Sequence, residues 1–287
     1  MKILAACPDC IQEASKDGKQ PKFNPIAGEL DDNGMIHVSC DRGHSGVVLY
    51  NARRYEVLVR SAARAALDGY TNEVVAVMSS ALERIYEFYI RVSSRAKGIP
   101  EETVEAAWKN VAAQSERQFG AFQFLYMLDQ SRPFKLEPRI TETRNKVVHR
   151  GKIVREAEAL EFAENVYGVI QHLQTELQSK FPQFVAEEVE REMKVQQSQV
   201  PEGVNHIKLS TTTVNVDKSK NEVTGVVTKF IEHVACHTSD ARARFSCIAS
   251  KIRPSRPLLR DGGFAQALVE CLLWIDKGNS RGGWIVY

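Results

Sequence analysis

From Asn51 to Phe181 apolar residues recur at helical spacing for about 130 residues, and this run limits the fold more than any other feature. A helix is expected from about Arg53 to Leu67, stopping at Gly69. The next begins near Thr71, whose hydroxyl can cap it, and aligns Val74, Met78, Leu82, Ile85, Tyr89 and Val92 before Lys97-Gly98 ends it. Pro100, Glu101 and Glu102 open a region of two helices reaching about Asp129, and Pro133 and Pro138 bound a connector. A short helix runs from about Thr141 to Arg150, with Val147 and Val148 as its buried face. The clearest stripe lies between about Arg155 and Ser179, through Ala159, Phe162, Val166, Ile170, Leu173 and Leu177. One apolar face per helix and short connections describe an antiparallel helical bundle over residues 51–182, so the chain is expected to be mainly α.

The flanks follow other periods. Residues 1–50 read as a small strand-and-loop module, with strands at Ile26 to Leu30, Met35 to Ser39 and Gly46 to Tyr50. Asn33-Gly34 supplies the hairpin turn between the first two. Residues 183–287 read as a small α+β appendage of unassigned role. It opens with a polar helical stretch around Glu187 to Gln199, followed by a Thr/Val-rich strand from His206 to Val216. Residues Val223 to Val234 fit either a helix or a strand, and Phe264 to Lys277 a helix.

Cys7-Pro8-Asp9-Cys10 and Cys40-Asp41-Arg42-Gly43-His44 place two short-spaced ligand pairs on either side of the expected hairpin. Zinc takes four such donors in a tetrahedron, and Gly43 lets the second turn fold back so that His44 can reach the ion. With few large apolar groups in this segment, a metal would also explain how it folds. The expectation is one structural zinc per chain on Cys7, Cys10, Cys40 and His44, a zinc-ribbon-like arrangement. A redox CxxC would call for a strand-to-helix turn in a βαβ unit, which is not expected here. His37 is the reserve ligand, read as packing beside Met35. Cys236, His237, Cys247 and Cys271 lack paired spacing.

The sharpest chemical signal is Arg144-Asn145-Lys146-Val147-Val148-His149-Arg150-Gly151. A forked arginine in the first turn of a helix can hold a phosphate, and a histidine can move a proton near neutral pH. Asn145, one turn before His149, can orient it. Such parts suit phosphodiester cleavage that needs no catalytic metal.

The motif resembles the R-N-x-x-x-H signature of HEPN domains (the higher eukaryotes and prokaryotes nucleotide-binding family). The likeness runs from about Arg53 to Phe181 and includes Asp68-Gly69-Tyr70, the segment Ser80 to Phe88 and the long helix after the motif. That resemblance implies a metal-independent endoribonuclease in which the RNA 2′-OH attacks the adjacent phosphate, leaving a 2′,3′-cyclic phosphate and a 5′-OH. His149 would act as acid or base, Arg144 would stabilise phosphoryl charge and Asn145 would complete the set. Ser80 and Glu83 are candidates to line the site, and Lys146 and Arg150 to contact RNA backbone. Many such proteins are toxins or antiphage effectors held inactive by a regulatory partner, inhibitor or cognate antitoxin. The competing reading is a non-catalytic scaffold of the same fold that binds RNA or nucleotides.

Five residues at about 100° each set Arg144 and His149 about 140° apart on a regular helix. A homodimer with a shared two-fold site is therefore expected. Composition narrows the setting. Hydrophobic residues make up 43% and charged residues 26% of 287, and no stretch nears the ~18 apolar residues of a membrane span. The start of the chain offers no export signal, and six cysteines do not make a disulfide scaffold, so a cytoplasmic setting with reduced thiols is expected. Net charge is only +2, but six bases and no acid lie between Ala241 and Arg260, a second candidate phosphate contact.

Overall fold

The computed structural model describes residues 1–18 and 24–210, and the backbone of 215–217 and 222–224. The expectations for 225–287, including the basic block and Cys236, His237, Cys247 and Cys271, lie outside the described residues.

The N-terminal module is built from β1 (Lys2–Ala5), α1 (Pro8–Lys16), β2 (Ile26–Leu30), β3 (Met35–Ser39) and β4 (Ser45–Asn51). The β2–β3 turn falls at Asn33-Gly34. Asp31 Oδ1 accepts from the backbone N–H of Asn33 and Met35, both at 2.9 Å, and Gly34 takes φ 80°. Only glycine adopts that angle without strain. Strand order is β1-β2-β3-β4, antiparallel throughout, with Met35 opposite Leu49.

Eight helices lie among the described residues, and the chain is mainly helical. After α1 come α2 (Arg54–Leu67), α3 (Thr71–Ala96), α4 (Glu101–Val111), α5 (Ser115–Gln130), α6 (Pro138–Val148), α7 (Glu156–Lys180) and α8 (Pro182–Ser198). The apolar stripe of α3 packs against α2, α5, α6, α7 and α8, which makes it the centre of the helical layer. Val74, Met78, Ala81, Ile85, Tyr89 and Val92 are all buried there. Aromatic rings fill the space between α3 and α5: Tyr86 stacks on Phe122 at 4.4 Å, and Phe134 meets Phe122 edge-on at 4.9 Å.

Several expectations change. Thr71 does not cap α3; Tyr70 holds the cap position, and the Thr71 hydroxyl donates to the Val154 carbonyl at 2.8 Å, tying α3 to the segment before α7. The short helix α6 starts at Pro138, not near Thr141, because a proline's fixed φ suits the first helical position. Val148 is 47% exposed, so Val147 alone carries that buried face.

A further change concerns the boundary at 183. A strand β5 (His206–Ser210) runs parallel to β4, with Val47 opposite His206, and completes the N-terminal sheet as its fifth strand. Residues 183–210 therefore belong to the sheet and bundle and do not begin a separate appendage. Met193 of α8 packs with Met35, Val47 and Leu49 on one face of the sheet. Ile3, Ala5, Ile36, Val38, Val48 and Tyr50 form a core on the other. Burial on both faces explains the unbroken apolar run Val47-Val48-Leu49-Tyr50. It also corrects the view that the first 50 residues lack a core. Short strands β6 (Asn215–Asp217) and β7 (Glu222–Thr224) pair antiparallel with each other. No described helix is long and apolar enough to cross a membrane.

Candidate functional site

The first cluster is the cysteine–histidine set. Cys7 precedes α1 and Cys10 lies in its first turn, with Pro8 at the first helical position. Cys40 and His44 close the β3–β4 loop, where the Cys40 N–H donates to the His44 carbonyl at 3.0 Å and the Gly43 N–H to the Cys40 carbonyl at 2.9 Å. Gly43, at φ 81°, makes that turn.

One donor atom from each of the four residues lies within 4.8 Å of every other. Cys7 Sγ is 3.8 Å from His44 Nδ1, Cys10 Sγ is 3.4 Å from the same nitrogen, and Cys10 and Cys40 Sγ are 3.8 Å apart. A tetrahedron with metal–sulfur bonds of about 2.3 Å and metal–nitrogen bonds of about 2.0 Å has edges of roughly 3.5–3.8 Å. The donor set therefore fits one metal ion.

The sequence did not mark the residue behind it. His44 Nε2 lies 3.5 Å from Glu13 Oε1, so the ring offers Nδ1 to the cluster and its other nitrogen to a carboxylate. Arg42 holds Glu13 Oε2 at 2.6 Å. Glu13 stands one turn beyond Cys10 on α1, a spacing that could have flagged it. Burial, with Cys7 and Cys40 alongside, pushes the Cys10 thiol up to about 11. Burial acts on Cys40 in the same sense, yet N–H groups of His44 and Arg42 outweigh it and lower that thiol to about 7. His37 is not a reserve ligand and does not pack with Met35. It is exposed, and its Nε2 lies 2.9 Å from Asp31 Oδ2.

The second cluster centres on Arg144. Because α6 begins at Pro138, Arg144 sits in its second turn, and the expected anion site at a helix N-terminus is not where this arginine lies. Its fork is held from three elements instead. Nη1 donates to Asn145 Oδ1 at 3.1 Å and lies 3.2 Å from His149 Nε2. Nη2 donates to Ser115 Oγ at 3.0 Å, at the start of α5, and lies 3.5 Å from Glu83 Oε1 on α3. Glu116 Oε1 is 3.8 Å from Nη1. An arginine only donates, so in a hydrogen bond between these two side chains Nε2 is the acceptor.

This geometry meets the angular argument for a shared two-fold site, because one chain brings Arg144 and His149 together by itself. The helix ends at Val148 and His149 is its C-cap, with φ −101° and ψ −24°. The His149 N–H still donates to the Asn145 carbonyl at 3.1 Å, and the long Arg144 stem covers the angular separation within one chain. Asn145 engages Arg144 rather than orienting His149.

Burial raises the Glu83 carboxyl, with Arg144 and Arg84 pulling the other way. Glu116 is lowered by its own backbone N–H and the Ser115 hydroxyl, then by Arg144 and His149. Ser80 is not brought to Arg144. It is exposed, its hydroxyl donates to the Ala76 carbonyl at 3.2 Å, and it lines a cleft of about 790 Å³ that Glu83 also borders but Arg144 does not. Lys146 and Arg150 are exposed, and Lys146 Nζ lies 3.5 Å from Glu142 Oε2. Ser115 and Glu116 were missed because no motif surrounds them. The Ser-Glu pair opening a helix is the signal that could have pointed there.

No protein-family model matches the chain, and no curated protein or solved structure matches it.

Proposed function

We propose that this chain is a metal-independent endoribonuclease of the HEPN type, acting at Arg144 and His149, with one structural zinc in the N-terminal module. The observation that carries the reading is the Arg144–His149 contact of 3.2 Å, between an exposed histidine and an arginine braced by residues of α3 and α5. A buttressed guanidinium beside an imidazole is a matched pair for phosphoryl chemistry.

An RNA phosphate entering between them replaces the Arg144–His149 contact. The guanidinium then donates to the non-bridging oxygens, where charge builds as the 2′-oxygen bonds to phosphorus. His149 Nε2, freed of its donor, takes the 2′-OH proton. The phosphorus–O5′ bond breaks, and O5′ is protonated by the imidazolium or by solvent, which leaves a 2′,3′-cyclic phosphate and a 5′-hydroxyl. Glu83 and Ser115 keep the fork aimed, and Lys146 and Arg150 attract the RNA backbone. Zinc, where bound, supplies folding energy to the α1 end of the module and no step of cleavage.

The test is cleavage of total RNA by the purified chain in buffer stripped of free divalent ions. Wild type should cut, and His149→Ala and Arg144→Ala should each lose at least ~10²-fold in rate while keeping the wild-type circular dichroism. Equal rates in all three would overturn the reading.

A further inference from the structure

Beside Arg144 lies a small cavity that the cleavage chemistry leaves unused. It measures about 110 Å³ and is walled by Leu82, Phe119, Leu136 and Ile140, with Arg144 and Glu83 at one end. An apolar cavity of about 150 Å³ takes up a benzene ring, so this smaller space, open on one side, admits the edge of a base rather than a whole one. Leu82, Phe119, Leu136 and Ile140 give it an apolar wall, and it shares Arg144 with the position proposed for the reacting phosphate.

One wall is polar in a way the protein does not satisfy. Tyr86 also lines the cavity and is only 3% exposed. Its ring is fixed by Phe122 at 4.4 Å and Phe119 at 5.2 Å. Its hydroxyl is buried and has no hydrogen-bond partner among the described residues. Buried hydroxyls are nearly always paired, so one left unpaired on a residue that walls a cavity points to a group that arrives from outside. Burial pushes this phenol well above its ordinary range, so it stays a donor at neutral pH.

We propose that this cavity is a base-recognition subsite, taking the edge of one nucleobase of the RNA next to the phosphate at Arg144, with the Tyr86 hydroxyl donating to an acceptor on that edge. The apolar walls receive the ring faces of any base. The hydroxyl then discriminates, because a base without an acceptor there leaves it unpaired. The subsite rests on the ribonuclease reading for its biological substrate, but it can be tested apart from it.

The experiment is equilibrium binding of the four nucleoside 3′-monophosphates, and of inorganic phosphate, to the full chain and to two variants. Tyr86→Phe keeps the ring and removes the hydroxyl. Thr141→Trp fills the mouth from an exposed rim position. Wild type should favour at least one base over the others by at least ~5-fold. Tyr86→Phe should level the four, and Thr141→Trp should weaken all of them by about 10-fold, with phosphate alone unaffected by Tyr86→Phe. Equal affinity for all four bases in wild type, or unchanged discrimination in Tyr86→Phe, would overturn the subsite. A chain that discriminates bases through Tyr86 but cuts no RNA would keep the subsite and sink the ribonuclease reading. A chain that cuts RNA with no dependence on Tyr86 in binding would do the reverse.

Discussion

Arg144 illustrates how much a single side chain can be asked to do and how little of it a motif reveals. The motif exposed Arg144, Asn145 and His149 because they lie within six positions of each other. It could not expose Ser115, which is 29 positions away and meets Arg144 only after α5 and α6 have packed on α3. Glu83 was legible as a candidate and does reach the fork, whereas Ser80, one turn earlier, borders the neighbouring cleft without reaching Arg144. Because both Nη atoms have separate partners, a point charge cannot replace the fork. Arg144→Lys is therefore expected to recover less than a tenth of wild-type cleavage, and a rate near wild type would show that only charge matters. At the metal set the corresponding residue is Glu13, behind His44. Glu13→Ala should weaken zinc binding by about 10–100-fold in a chelator competition, with Glu13→Gln in between. Unchanged affinity in both would leave Glu13 without a role there.

At the scale of the element, periodicity located the helices well because each stripe needs only neighbours four residues apart. The same logic failed at starts, where chain geometry decides. Pro138 moved the start of α6, and the Thr71 hydroxyl was drawn away by the Val154 carbonyl, 83 positions distant. The hairpin was legible from Asn33-Gly34, but the pairing of β5 with β4 was not, since a parallel partner leaves no local turn signal. The start of α2 carries a testable consequence. The Arg53 N–H donates to Glu56 Oε2 at 2.6 Å, and burial raises that carboxyl to about 7 despite Arg53. A carboxyl whose folded value lies above its unfolded one favours the folded chain most at low pH. This contribution fades as pH rises from about 4.5 through about 7. Glu56→Gln should flatten that slope and stabilise the chain at pH 8 by on the order of 2 kcal/mol, read from denaturant midpoints at pH 5 and 8. A parallel slope in the variant would contradict it.

Across the whole molecule the sheet and the helical layer prove to be joined. The α8 helix covers one sheet face through Met193, and β5 closes the edge beside β4. Ending the chain at residue 182 should therefore expose Met35, Val47 and Leu49 and lower the melting temperature by several degrees or more. Because the sheet has its own core, removing zinc should unfold α1 and the Cys40–His44 loop while leaving the strands protected from hydrogen exchange. With Arg144 and His149 already together in one chain, mixing the two inactive alanine variants should restore no activity. Recovery on mixing would instead place the site across two chains. The central claim, that these two residues direct attack by a ribose hydroxyl, is tested most directly on an RNA with a single 2′-deoxy sugar at a mapped cut. The unmodified RNA should yield fragments ending in a 2′,3′-cyclic phosphate and a 5′-hydroxyl, and the deoxy position should resist cutting entirely. Cleavage at the deoxy position, or a 5′-phosphate at the cut, would contradict the account.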